Sequence, residues 1–124
     1  MTRNIMAKIL IAEDEPDIRE LIRLTLSFKG FEVLVAEDGY AALELAEASE
    51  PDLVLLDVRM PGMSGYEVCQ RLRQLGHLRE TPMVFLSAKG QEAEVENGLA
   101  AGADDYILKP FAPDELVARL EALL

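Results

Sequence analysis

Three carboxylates in this chain stand directly after short apolar runs. Glu13 and Asp14 follow Lys8-Ile-Leu-Ile-Ala12, and Asp57 follows Asp52-Leu-Val-Leu-Leu56. Ser87 follows Pro82-Met-Val-Phe-Leu86, and Lys109 follows Asp105-Tyr-Ile-Leu108. Carboxylates brought to one place repel each other unless a cation or protons intervene. Their oxygens are hard ligands, and no His or Cys lies in these segments to favour zinc. The set therefore suits Mg²⁺, with spare positions for water and phosphate. A hydroxyl and an ammonium facing such a carboxylate and cation make a pocket for a doubly charged phosphoryl group. Singly, each residue has an ordinary reading: Glu13, Asp14 and Glu15 as complements to a helix dipole, Asp57 as a turn residue, Ser87 as a loop hydroxyl and Lys109 as a solvated charge. The functional reading rests on four strand ends supplying acid pair, acid, hydroxyl and amine in one order.

Whether these groups meet depends on the elements that carry them. The apolar runs predict five strands: β1 over 8–12, β2 over 32–36, β3 over 52–56, β4 over 82–86 and β5 over 105–108. Near-continuous apolarity in β1, β3 and β4 suits strands covered on both faces. Between them lie amphipathic segments with recognisable ends. Helix α1 opens at Pro16, places Ile18, Leu21, Ile22 and Thr25 at helical spacing, and closes at Gly30. Helix α2 covers about 38–48. Helix α3 starts at a capping box made by Ser64 and Glu67, buries Val68, Leu72 and Leu75, and stops before Gly76. Helix α4, about 91–99, has the weakest pattern, being interrupted by Gly98 and rich in Glu. Helix α5 begins at Pro113 and buries Leu116, Val117, Leu120 and Leu123 or Leu124. Strands alternating with helices predict an α/β fold, a doubly wound five-stranded parallel sheet of flavodoxin-like order 2-1-3-4-5 with five helices. In such sheets the site forms beyond the carboxyl ends of the strands, where β1 and β3 part.

The 124 residues are enough for one domain, and with half of them apolar and 28% charged they suit a packed core. Residues 1–5 read as an N-terminal extension and 6–124 as the domain. The formal net charge of -11 leaves no basic footprint for nucleic-acid phosphates. Cys69 is the only cysteine, which rules out an internal disulfide and suits the reducing cytoplasm. The acidic run 13–15 cuts short any signal-peptide core, and no apolar stretch approaches the roughly 20 residues that span a bilayer.

Four segments taken together resemble the receiver domain of two-component response regulators. They are Glu13-Asp14 after Ile-Leu-Ile-Ala, Asp57-Val-Arg-Met-Pro61-Gly, Ser87-Ala88-Lys89, and Asp104-Asp105-Tyr106-Ile-Leu-Lys109-Pro110-Phe111. The resemblance covers Met6 to Leu124. It implies that Asp57 accepts a phosphoryl group from the phosphohistidine of a histidine kinase or phosphotransfer protein, with Lys109 and Ser87 contacting the phosphoryl oxygens. It implies a Mg²⁺ site made by Asp14, Asp57 and the backbone carbonyl of Arg59, with Glu13 acting through water. It also implies a cis Lys109-Pro110 bond, and a switch in which Ser87 and Tyr106 move and alter the face made by α4, β5 and α5. The sequence from Lys109 to Leu120 is similar to receivers joined to winged-helix DNA-binding domains, in which that face pairs two activated copies. Asp105 and Arg119 are then candidates for bridges between subunits. Two positions depart from the common pattern: Glu13 replaces Asp, and Ser64 replaces Asp in the loop after β3. Magnesium-dependent phosphatases with an Asp nucleophile place a second Asp two residues later, where this chain has Arg59, which argues against that chemistry. Neither a Gly-x-Gly-x-x-Gly nor a Walker sequence is present, which argues against a glycine-loop nucleotide site.

Overall fold

A computed structural model describes residues 7–88, 96, 100 and 102–124. Strands β1 (Lys8–Ala12), β2 (Glu32–Ala36), β3 (Leu53–Asp57), β4 (Met83–Ala88) and β5 (Asp105–Lys109) form one parallel sheet in the order β2-β1-β3-β4-β5. The sheet order is the one the sequence predicts. Helices α1 (Pro16–Phe28), α2 (Gly39–Ser49), α3 (Gly65–Arg73) and α5 (Pro113–Glu121) connect and cover the strands, with a short 3₁₀ turn at Gly76–Leu78. The α4 segment expected over 91–99 lies outside the described residues apart from Glu96, which is helical.

Strand side chains alternate between two cores, so both faces of the three central strands are dry. Leu10, Val54, Leu56, Met83 and Phe85 pack with Ala42 and Ala46 of α2 and Val68, Cys69 and Leu72 of α3. Ile9, Ile11, Leu53, Leu55, Val84, Leu86 and Ile107 pack on the other face with Ile22 and Leu26 of α1 and Leu116, Val117 and Leu120 of α5. Full burial of each Leu or Ile contributes roughly 1.5–3 kcal/mol. This explains why these strands read as continuous apolar runs rather than alternating ones. One expected core position is corrected: Leu21 is 45% exposed, and Leu26 rather than Leu21 completes the buried stripe of α1.

The helix ends follow their local chemistry. Ser64 Oγ accepts the amide of Glu67 at 3.2 Å, while the Glu67 carboxylate pairs with Arg71 at 3.1 Å. Asp38 caps α2 by accepting the amide of Ala41 at 2.8 Å. At the far end of the sheet from the carboxylates, the Arg73 guanidinium donates to the carbonyls of Leu78, Arg79, Thr81 and Gly102 and to Asp104. This ties the end of α3 to the entry of β5.

Arg119 of α5 and Asp105 of β5 form a two-pronged pair within one chain, at 2.7 and 2.9 Å. The guanidinium holds the Asp105 carboxyl below its ordinary value of 3.8. An acid with a depressed value stabilises the fold above its unfolded pKa, and that stability is lost as pH falls through the folded value. Because both groups are partly solvated, the pair is expected to be worth no more than about 1 kcal/mol. Arg119→Met should therefore melt a few degrees below wild type near neutral pH, and the gap should close as pH falls through the depressed Asp105 value. Thermal unfolding followed across that range checks this; a gap that persists in acid would contradict the pairing.

Candidate functional site

The site is set by strand register. Ile9 pairs with Leu53 and Ala12 with Leu56, so the next pair along brings Glu13 beside Asp57. Asp57 is itself paired with Leu86, and Leu86 with Ile107, which places the ends of β4 and β5 next in line. Glu13, Asp57 and Lys109 also share the parity of Ile11, Leu55 and Ile107, so their side chains leave the sheet on one side. The structure brings all three together. Lys109 Nζ lies 3.2 Å from Asp57 Oδ2 and 3.1 Å from Glu13 Oε1.

These charges are buried. Glu13 has no exposed surface, Asp57 is buried and Lys109 is only 16% exposed. Desolvation, followed by the hydrogen bond and negative charge of Asp57, raises the Glu13 carboxyl to about 7. For Lys109, burial opposes the charge, but the Asp57 and Glu13 carboxylates outweigh it and raise the ammonium above 10.5. Glu13 Oε1 is within ion-pair range of Lys109 yet makes no aligned hydrogen bond, leaving a buried acceptor oxygen unsatisfied. The rest of Glu13 is fixed: Oε2 accepts the amide of Glu15 at 3.1 Å, and its carbonyl accepts from Arg19 at 2.8 Å.

Oxygens of Glu13, Asp14 and Asp57 all lie within 4.8 Å of one another. An all-carboxylate set of this span, with one orphaned buried oxygen, fits a hard divalent cation. Asp14 is half-buried and opens onto a groove of about 540 Å³ that Arg59, Pro61, Ser64 and Tyr66 also line. The amide of Arg59 donates to Asp57 Oδ1 at 3.3 Å, which keeps the loop after β3 folded over the acid. Gly65 sits against the backbone of Asp57: a β-carbon there would lie 2.3 Å from the Asp57 carbonyl oxygen, so this position must stay bare.

Ser87, at the end of β4, is fully buried and stands opposite Leu108. Tyr106 is half-buried beside the α2–α3 core and opposite Phe85, whose ring meets Tyr66 edge to face at 5.4 Å. The Lys109-Pro110 bond is cis. Three features had no counterpart in the sequence analysis: the Arg19 contact to Glu13, the bare Gly65 and the Arg73 hub. Arg19 did have a signal, a cation in the first turn of the helix that follows the acid pair. The hub had none, because most of its acceptors are backbone carbonyls.

Comparison with known proteins points to the same fold and family. The model of the response regulator receiver domain matches residues 9–121. The chain is 47% identical over 117 residues to the response regulator MprA of Mycolicibacterium vanbaalenii, covering 94% of this chain and 50% of that protein. It thus spans about half the length of the curated relatives it matches. Among solved structures, chemotaxis protein CheY4 of Vibrio cholerae superposes with a TM-score of 0.92 at 34% identity, over 96% of this chain and 99% of that one. The signal receiver domain of a histidine kinase from Syntrophus aciditrophicus gives 0.87 at 33% identity, covering 95% and 89%. The chain has a five-stranded sheet of this order with an acid cluster at its carboxyl edge, and it belongs to the response regulator receiver domain family. Members of that class act as signalling switches. Among the described residues no helix is long and apolar enough to cross a membrane.

Proposed function

We propose that this chain is a phosphoacceptor switch. Asp57 attacks the phosphorus of a phosphohistidine on a sensor kinase or phosphotransfer protein. The new P–O bond makes an aspartyl phosphate, the P–N bond breaks, and the imidazole leaves and takes a proton. Later attack by water on phosphorus releases inorganic phosphate and returns the carboxylate. The observation that carries this reading is Lys109 held 3.2 Å from Asp57 inside a cluster of three carboxylates. An ammonium so placed can follow charge from the carboxylate to a phosphoryl oxygen without reorganisation.

Asp14, Asp57 and the carbonyl of Arg59 would hold Mg²⁺, with Glu13 reaching it through water. The ion supplies charge neutralisation at the phosphoryl oxygens. Ser87 donates its hydroxyl to one of those oxygens. Adding a group of roughly -1.5 to -2 charge at Asp57 draws Ser87 inward, and Tyr106 follows, which changes the α4-β5-α5 face. That face acts on an output partner or on a second copy of the chain in the cytoplasm. The acidic domain itself does not engage nucleic acid. Acetyl phosphate and Mg²⁺ should add one phosphoryl group, read by intact mass, and excess chelator should prevent it. Labelling undiminished by chelator, or none in Mg²⁺, would overturn the reading.

A further inference from the structure

The loop between β3 and α3 leaves Asp57 and must place the Arg59 carbonyl beside the cation, yet it includes a glycine in the left-handed region. Gly62 has φ +82°, a conformation that costs glycine a large amount of freedom when it is fixed. The near end of the loop is tied by the Val58 amide, which donates to the Leu86 carbonyl at 3.0 Å. Its far end is tied by buried Met63 and by the Gly65 amide, which donates to the Val58 carbonyl at 2.9 Å. Between these ties, the ring of Tyr40 lies against Gly62. A β-carbon at Gly62 would stand 3.0 Å from Tyr40 Cε2 and 3.8 Å from its hydroxyl, and the nearest atoms are all from that ring.

The neighbouring residue repeats the fit. A β-carbon at Gly39 would lie 2.9 Å from both Met63 Cβ and Val68 Cγ2, so the first turn of α2 meets the loop at two adjacent bare positions. The Asp38 cap holds this turn in place. Tyr40 is nonetheless 60% exposed, so its ring adds little to either core. One edge of the ring faces Gly62 of the loop.

We propose that Tyr40 is a positioning residue: it restrains the β3–α3 loop so that the Arg59 carbonyl is already in place when the cation arrives. This deepens the Mg²⁺ reading above and rests on it. Restricting a loop before binding removes part of the ordering cost that binding would otherwise meet.

The test compares Tyr40→Ala and Tyr40→Phe with wild type. Alanine keeps α2 intact, being the better helix former, so its melting temperature without Mg²⁺ should stay within about 2 °C of wild type. Tyr40→Ala should bind Mg²⁺ roughly 3–10-fold more weakly by calorimetric titration. Amides of residues 59–63 should exchange faster with the metal absent. Tyr40→Phe should restore both, because the ring rather than the hydroxyl makes the contact. Wild-type affinity together with unchanged loop exchange in Tyr40→Ala overturns the inference. A wild-type chain that binds no Mg²⁺ instead overturns the functional reading, while loop exchange still decides whether Tyr40 restrains the segment.

Discussion

Asp57→Asn is expected to take up no phosphoryl group and also to be more stable than wild type in magnesium-free buffer. The first effect follows from nucleophilicity: an amide oxygen cannot form the acyl phosphate that a carboxylate forms. The second follows from repulsion. Three carboxylates have oxygens within 4.8 Å of one another, Lys109 meets two of them, and the negative charge of Asp57 helps drive the Glu13 carboxyl up to about 7. Removing one charge while keeping the shape relieves that repulsion, and Lys109 can still pair with Glu13. A gain of roughly 1–2 kcal/mol is expected, seen as a higher urea midpoint. Mg²⁺ should raise the wild-type midpoint as any native-state ligand does, and should raise that of Asp57→Asn much less. Undiminished labelling of the variant would remove Asp57 as acceptor. A lower midpoint without metal would show that the cluster is not under electrostatic strain.

Most of the site was legible because strand ends are punctuated by composition. An apolar run that stops at a charged residue marks both a strand and the direction of its exit, and the strand order then says which exits meet. That logic placed Glu13, Asp57 and Lys109 together before any distance was known, and the register supplies the reason: residues 9 and 53 are partners, so 13 and 57 are neighbours. Depth was not legible. Nothing in the sequence distinguishes Glu13, fully buried beside Lys109, from Asp14, half-buried on the groove. The helical spacing of Ile18, Leu21, Ile22 and Thr25 drew the stripe of α1 too close to its exposed side, because an apolar residue at the edge of a stripe is buried only if something covers it. The Arg73 hub and the Tyr40–Gly62 contact involve backbone groups of remote loops, and such contacts leave no periodic trace. For Asp105 and Arg119 the family resemblance suggested bridges between copies; within one chain the two pair with each other.

Lys109→Met should cost the fold more than any surface substitution and should also lower phosphoryl uptake. Methionine fills much of the volume of the lysine stem but leaves Glu13 and Asp57 buried without their ammonium. Breaking a buried ion pair by removing one partner costs about 3–5 kcal/mol. Here the ammonium meets two carboxylates, and Glu13 can bind a proton instead, so a loss of about 2–4 kcal/mol is expected in metal-free buffer. Two controls separate charge from packing. Mg²⁺ should recover part of the loss, because a divalent cation can answer the same carboxylates. Adding Glu13→Gln to Lys109→Met should recover part of it without metal, because the buried charge is then gone. Denaturant titrations of the wild type, Lys109→Met and the double variant, with and without Mg²⁺, give the comparison. If neither the metal nor Glu13→Gln narrows the gap, the lysine stem rather than its charge supports the fold, and the phosphoryl site loses the cation on which its electrostatics depend.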